Sequence, residues 1–509
     1  MLRLYQVYEG KGEEINKIKR ISPLKLLDQR LREQIIDEAL EILEKTGVLV
    51  ENEEGIKLLK DAGMKIKRVE DKGTVFSITR DLVEQSLKTT PSSAKLYDRQ
   101  GSDEPILTMG KESDKVYFDP ASTALYTFDY AAKKVREPET DDLVNFVKLA
   151  DALPNIDAQS TAMIPNDVPK DIVDRYRLFL VLRNSSKPVI TGTFTLDGFN
   201  VMKEMLLAIR GSKEALKEKP LAIFDVCPSP PLKWSDLTCH DLIQCAKSGI
   251  PAEFISMPMT GASAPVTLTG AVVQHTAETL SGIVIAQLAR PGAPLIYGGS
   301  PTAFDMRKGT PPMGAIETMM IDSAYIQIGR HLGLPTQAYM GLSDAKLPDS
   351  QAGLESGIGA VLAALSGADL VAGPGMLTFE SCQSMEKLVI DNEICGMAKR
   401  LIEGITPRTD PLAKDLLQGD IYQGDHFLTS PTTMKWFKKE FFYPSSVIDR
   451  DDKDVWIKKG ATTAEERAHK RVEQILSSHQ PAPLAKEVEQ ELVRIMENEA
   501  KRYGLKQLP

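Results

Sequence analysis

The chain has 509 residues, 42% hydrophobic and 26% charged, with a net charge of −9. That is too long for one small core and ordinary for a soluble globular protein, and the negative charge gives a nucleic acid no electrostatic support. No apolar run reaches membrane length and residues 1–4 open no signal peptide, so we expect a cytoplasmic protein with neither nucleic-acid nor membrane partners.

Residues 1 to about 25 are polar and irregular. Leu31, Ile35, Ile36, Ala39, Leu40 and Leu43 then fall on one helix face, and Gly47 is placed to stop that helix. A short helix over 54–61 and a strand–helix pair over 74–87 complete a mostly helical cap, residues 1–110. Short apolar runs follow, beginning near Val116, Ala158, Val189, Leu221, Ala252, Leu295, Thr336 and Leu370. Their spacing is roughly 30 to 40 residues, the size of one βα unit. Helical patterns separate them at 141–152, 171–183, 198–210, 236–248, 268–289, 313–332, 351–366 and 385–402. Eight such units over 111–403 predict an α/β protein built on a parallel (β/α)8 TIM barrel. The rival, an open doubly wound sheet, lacks both a GxGxxG turn and an acidic residue placed for a ribose. Residues 404–509 read as a helical extension, with patterns at 463–478 and 484–503. The aromatic group Trp436, Phe437, Phe441, Phe442 and Tyr443 there suits core or subunit packing, and a homo-oligomer is expected.

Cys227, Cys239, Cys245, Cys382 and Cys395 make no CxxC pair and no even framework, and they read as reduced core thiols. Cys239-His240 with Cys245 has no second tight cluster beside it, so no metal site is expected. The segment 341–355, GLSDAKLPDSQAGLE, is a polar loop between the apolar run 335–340 and a helix. Barrel enzymes place chemistry on such loops at the strand C-terminal ends.

The segments 261–270 (GASAPVTLTG), Ser343-Asp344-Ala345-Lys346 with Gln351-Ala352-Gly353 and Glu355, 386–396 (EKLVIDNEICG), and Gly424-Asp425-His426-Phe427-Leu428 with Asp449-Arg450 together resemble the trimethylamine methyltransferase family. The resemblance implies a (β/α)8 barrel that passes a methyl group from a methylamine to the cobalt of a separate corrinoid protein. It also implies that trimethylamine-specific members carry pyrrolysine near the 341–355 loop. This chain has only standard residues, and Lys346 is the only lysine in that loop. The resemblance therefore points to the branch without pyrrolysine, which acts on quaternary amines such as glycine betaine or a related betaine.

Such a substrate leaves as a neutral tertiary amine and needs no acid, so positioning and desolvation suffice. Its nitrogen offers no hydrogen bond and calls for aromatic faces or carboxylates. Phe224, Tyr297, Tyr339, Phe254 and Phe379, near strand ends, are the aromatic candidates, and Asp344 and Glu355 the acidic ones. For a betaine carboxylate, Lys346, Gln351, Arg307 and His275 are candidates. No catalytic residue is singled out. Two other classes remain open: a lyase or aldolase barrel using Lys346 as nucleophile, and a scaffold subunit without catalysis.

Overall fold

The computed structural model describes residues 24–418, 427–505 and 507–508. Most of the irregular N-terminal segment and the Gly424-Asp425-His426 part of the last motif lie outside them. Asp28 caps helix α1 (Gln29–Lys45) by accepting the Leu31 N–H, one of the amides a helix start leaves unpaired. The face read from the sequence is the one that packs, with Ile35, Ala39, Leu40 and Leu43 buried. Next come β1 (Val48–Val50), α2 (Glu53–Asp61), β2 (Lys65–Glu70), β3 (Gly73–Ser77), α3 (Arg80–Thr89), β4 (Ser93–Leu96) and β5 (Leu107–Gly110). The described part of the cap thus holds five strands beside three helices, more strand than expected. These strands carry little local signal. β2 is exposed along its whole length, and β1 finds a parallel partner only at residues 233–234.

After β6 (Tyr117–Asp119) the chain forms the hairpin β7 (Tyr126–Asp129) and β8 (Lys134–Arg136), then α4 (Thr140–Ala152). It continues through β9 (Gln159–Ser160), α5 (Val173–Asn184), β10 (Val189–Thr191), α6 (Gly198–Arg210), α7 (Lys213–Glu218), β11 (Ala222–Val226), β12 (Lys233–Trp234) and α8 (Asp236–Ser248). β13 (Ala252–Phe254), β14 (Met259–Thr260), α9 (Leu268–Ala289), β15 (Leu295–Ile296), β16 (Thr302–Ala303) and α10 (Ile316–His331) follow. β17 (Gln337–Tyr339), α11 (Ser350–Ser366), β18 (Leu370–Ala372), β19 (Met376–Leu377), β20 (Cys382–Gln383) and α12 (Met385–Ile402) complete the alternation.

Eight of these strands start within one residue of the apolar runs read from the sequence: β6, β9, β10, β11, β13, β15, β17 and β18. Parallel pairing links β9 to β10, β10 to β11, β11 to β13, and β13 to β15. A parallel bridge from Tyr297 to Thr336 carries it to β17, which pairs with β18, and β18 with β6. The Asp157 and Ala158 amides donate to the Phe118 carbonyl and return the pairing from β9 to β6.

Tyr117, Ala158, Ile190, Ile223, Ile296 and Leu370 form one apolar cluster with Ala94, Leu96, Leu107 and Met109 of the β4–β5 hairpin. The Tyr97 amide beyond that hairpin bonds the carbonyl of Pro220, just before β11. The hairpin therefore covers the N-terminal ends of the strands. Their other face packs on the helices, in a core reaching from Leu27 to Met496. α13 (Lys414–Leu417), α14 (Pro431–Glu440), α15 (Lys453–Lys458), α16 (Ala464–Ser478) and α17 (Lys486–Arg502) end the chain. α16 lies on α12, and α17 on α5 and α6.

Strand and helix meet closely at Gly282 in α9. A Cβ there would stand 2.4 Å from Phe254 Cε1 and 2.5 Å from Trp234 Cζ2. Alanine gains about 1 kcal/mol in helix preference, but forcing a methyl group against two packed rings costs about 1–3 kcal/mol. Gly282→Ala is expected to lower the urea midpoint at an unchanged slope; a raised midpoint would show that this contact yields.

Candidate functional site

Side chains alternate between the faces of a strand. Two positions beyond the apolar interior residues the next inward layer is Asp119, Ser160, Gly192, Asp225, Gly298 and Ala372. Register adds Glu253, opposite Asp225, and Tyr339, opposite Ala372. At the C-terminal ends of the strands the interior thus changes from apolar to acidic. Asp119 and Glu253 are buried, and Asp225 keeps part of its surface open. The loop after β19 brings a fourth carboxylate. Thr378, Phe379 and Glu380 have φ of 52°, 56° and 69°, a left-handed run that non-glycine residues rarely adopt. It turns Glu380 to Ser300, whose hydroxyl donates to Oε2 at 3.4 Å.

These groups are short of positive charge. Asp119 Oδ1 accepts the Ala121 N–H at 2.9 Å, and Asp225 Oδ2 accepts the Ser122 hydroxyl at 3.2 Å. Asp119 Oδ2, Asp225 Oδ1 and Glu253 Oε2 have no partner. Burial therefore disfavours the ionised forms. It lifts Asp225 to about 7 and Glu380 to about 8, and holds Asp119 and Glu253 well above the usual range. Burial also raises the Tyr339 phenol, and Asp225, Glu380, Asp119 and Glu253 all push it the same way. Tyr339 shares the layer with these carboxylates, since Tyr339 and Asp119 both lie in register with Ala372.

One guanidinium reaches the layer. Arg177 on α5 is buried, and its Nη2 donates to the Thr161 carbonyl and, at 3.3 Å, to Thr123 Oγ1. The guanidinium carbon lies 5.0 Å from the Phe194 ring centroid. His275 adds no charge. Its Nε2 donates to the Gly298 carbonyl at 3.0 Å, its ring stacks on Tyr325 at 4.2 Å, and burial lowers its pKa to about 3. Among the described residues no group of three or more His, Cys, Asp or Glu is placed to hold a metal ion.

Of the residues expected at the site, Tyr339 stands in this layer. Phe379 neighbours Glu380, but its ring is covered by the Lys346 ammonium, 3.8 Å from the centroid. Lys346 also donates to the Asp344 carbonyl at 2.5 Å. The Asp344 carboxylate takes the Met313 and Gly314 N–H groups, both at 2.9 Å, and burial raises its pKa to about 6. Glu355 accepts the Ser343 hydroxyl at 2.6 Å, the Asp344 N–H at 2.8 Å and Gln351 Nε2 at 2.9 Å. The Ser343 amide bonds the Met376 carbonyl, and the Thr378 amide the Ala345 carbonyl. The 341–355 loop thus lies one shell out and braces the loop that carries Glu380.

Phe224 and three other expected residues lie elsewhere, Phe224 against Phe199 of α6. Phe254 faces Trp234 and α9. The Tyr297 hydroxyl donates to Thr276 Oγ1 on α9 at 3.1 Å. The Arg307 side chain is 87% exposed and pairs with Asp305 at 2.9 Å in its own loop. Phe254 and Tyr297 sit on the outer face of strands that are apolar on both faces, where sequence alternation is silent; Arg307 is held by a partner two residues away. Asp119, Asp225, Glu253, Glu380 and Arg177 were not anticipated. For the first three a signal existed: a lone acidic residue inside an apolar strand run, as in Phe118-Asp119, Phe224-Asp225 and Glu253-Phe254.

Comparison with known proteins gives a consistent picture. The family model for trimethylamine methyltransferase matches residues 6–504. A trimethylamine methyltransferase of Desulfitobacterium hafniense (strain DSM 10664 / DCB-2) is 30% identical over 466 residues, 92% of each chain. That of Methanosarcina thermophila is 34% identical over 451 residues, 87% of this chain and 91% of the other. A glycine betaine methyltransferase of Desulfitobacterium hafniense (strain Y51) is 30% identical over 474 residues, 93% and 96% of the two chains. Among solved structures, the Methanosarcina barkeri monomethylamine methyltransferase superposes with a TM-score of 0.54 at 11% identity, covering 88% of each chain; that likeness speaks for the fold.

The layer's titration has a measurable sign. Tetramethylammonium has a fixed charge, so any pH dependence of its binding belongs to the protein. Asp225 and Glu380 ionise near 7 and 8, so affinity is expected to rise at least about tenfold between about pH 6 and pH 9. Asp225→Asn with Glu380→Gln should flatten that rise. Stability of the unliganded protein runs the other way. Carboxyls with folded pKa values above their unfolded ones bind protons more tightly when folded, so stability falls as pH climbs from about 4 to about 8. Calorimetric titration at both pH values checks the first point; a flat wild-type profile would place the cation outside this layer.

Proposed function

The chain belongs to the trimethylamine methyltransferase family and is a methyltransferase, and from that premise we propose that it moves a methyl group from a quaternary amine, glycine betaine or a related betaine, to a cognate corrinoid protein. In this reading the ring of strands is a (β/α)8 barrel, with a cap over 1–110, the catalytic unit over 111–403 and an extension over 404–509, in a cytoplasmic enzyme. The carrying observation is the acidic layer around Tyr339 at the strand C-terminal ends, where barrel enzymes hold their substrates.

A quaternary ammonium has no N–H, so it is held by the field of carboxylates and by aromatic faces. Asp225 and Glu380, partly open, meet the cation, while buried Asp119 and Glu253 deepen the field. As the methyl group leaves, the C–N electron pair stays on nitrogen and yields a neutral tertiary amine, so no side chain has to donate a proton. The relatives named for trimethylamine and for glycine betaine are similarly distant and do not choose the amine. A chain of standard residues suits the substrate that needs no activation.

The corrinoid, carried by its own protein, supplies when docked an electron-pair nucleophile for the methyl carbon. Exposed apolar residues on loops beyond the strand ends, Leu125, Leu196, Met257, Met306 and Leu347, fit a broad, largely apolar group brought by a partner. These residues dock the carrier and exclude water, the acidic layer orients the cation, and Asp344, Lys346, Gln351 and Glu355 hold the Glu380 loop. Ile316 and Met320 on α10 and Leu354 and Ile358 on α11, also exposed, support association with another copy; a monomer mass by light scattering overturns that part.

The reaction is tested by supplying the purified chain with reduced cobalamin and, in turn, glycine betaine, carnitine, proline betaine, choline or trimethylamine. Loss of a betaine and appearance of its demethylated product are expected. Turnover of trimethylamine alone overturns the substrate, and turnover of none of them with the cognate corrinoid protein overturns the reaction.

A further inference from the structure

A betaine carries two charges, and the acidic layer answers only the ammonium. We propose that Arg177 receives the carboxylate, and so makes the site select zwitterionic amines over cations that lack one; this rests on the quaternary-amine reading above. The guanidinium enters from α5 between three strand-end loops. It touches Thr123 after β6 and Thr161 after β9, and it lies over Phe194 after β10. Thr123 Oγ1 in turn donates to the Ser122 hydroxyl at 3.4 Å, and Ser122 donates to Asp225 at 3.2 Å, so Arg177 borders the groups that would hold the ammonium. The two ends of one small molecule can therefore be gripped together.

Its hydrogen bonding is incomplete. Arg177 is 1% exposed, yet Nε and Nη1 have no partner, and a buried donor left unpaired is costly. Arg175, two residues earlier, shows what a structural arginine looks like in the same helix. It pairs with Asp174 at 3.1 Å, Asp197 at 3.3 Å and Glu499, and donates to the Asp171 carbonyl at 2.8 Å and Thr195 Oγ1 at 2.6 Å. Asp174, a nearby acid, is spent on Arg175, the Phe194 amide and Thr195. Phe194 holds one face of the Arg177 guanidinium, and Nε and Nη1 are left without a protein partner for the oxygens of a carboxylate.

The other cations considered for this task are occupied. Lys346 is held by Phe379 and the Asp344 carbonyl. Arg307 is paired on an exposed loop, and His275 is bonded to Gly298.

The test is calorimetric binding of glycine betaine, its neutral amide and choline, which share the trimethylammonium group. Wild type is expected to bind glycine betaine at least about tenfold more tightly than either of the others. Arg177→Met should weaken glycine betaine about ten- to a hundredfold. Choline should bind it as well as before or better, because a repelling charge has gone; a merely structural role would weaken both alike, and that result overturns the proposal. Arg177→Lys should retain part of the preference. Should Arg177→Met fail to fold, the wild-type comparison decides alone. Equal affinity for glycine betaine and its amide overturns Arg177 as the carboxylate receptor and leaves the quaternary-amine reading standing. Binding of none of the three overturns that reading itself.

Discussion

Four carboxyl groups are gathered inside a ring of strands with one guanidinium and no ion pair among them. A protein gains no stability from such an arrangement, because each ionised carboxylate taken from water costs several kcal/mol unless it is paired. The resting molecule meets the cost by holding protons, which is why burial carries Asp225 and Glu380 toward neutrality. An organic cation removes the need for those protons. In the proposed reading, electrostatic deficit and function are the same feature, because a bound cation would supply the charge that the interior lacks.

Much of the remaining structure keeps that layer in place. Below it, the apolar layer of Tyr117, Ile190, Ile223, Ile296 and Leu370 rests on the β4–β5 hairpin, which covers the strand N-terminal side. Above it, the 341–355 loop bonds to the backbone at Met376 and Thr378, next to the left-handed run that aims Glu380. The family motif in that loop is thus a brace for a carboxylate that lies outside the motif. On the α5 side, Glu499 of α17 grips Arg175, and Tyr503 bonds Asp197 at 3.1 Å. The C-terminal helix thereby steadies the helix that sends Arg177 inward.

The positions of the eight strands and the helices between them were legible, as was the family. Apolar runs flanked by helical periodicity, such as Val189–Thr191 before Gly198–Arg210, need no tertiary information. Strands such as β2 and β1 were less so, since one is wholly exposed and the other is three residues long, held between β3 and a strand far along the chain. Of the residues expected at the site, Tyr339 stands in the acidic layer, and the 341–355 loop lies beside it. Asp344 and Glu355 look like free ligands in a polar loop, yet folded they are filled by backbone amides and neighbouring hydroxyls.

What the sequence by itself determined is the order of βα units, the family and the class of chemistry, because these depend on local periodicity and on motifs contiguous in the chain. Only the tertiary structure decided which side chains face inward. A parallel strand buried on both sides is apolar on both sides, so Phe254 and Glu253 are equally plausible interior residues until register sets Glu253 beside Asp225. Arg175 and Arg177 are likewise indistinguishable along the chain. One pairs with Glu499 and the other forms no ion pair, and that difference exists only once helices far apart in sequence have packed together.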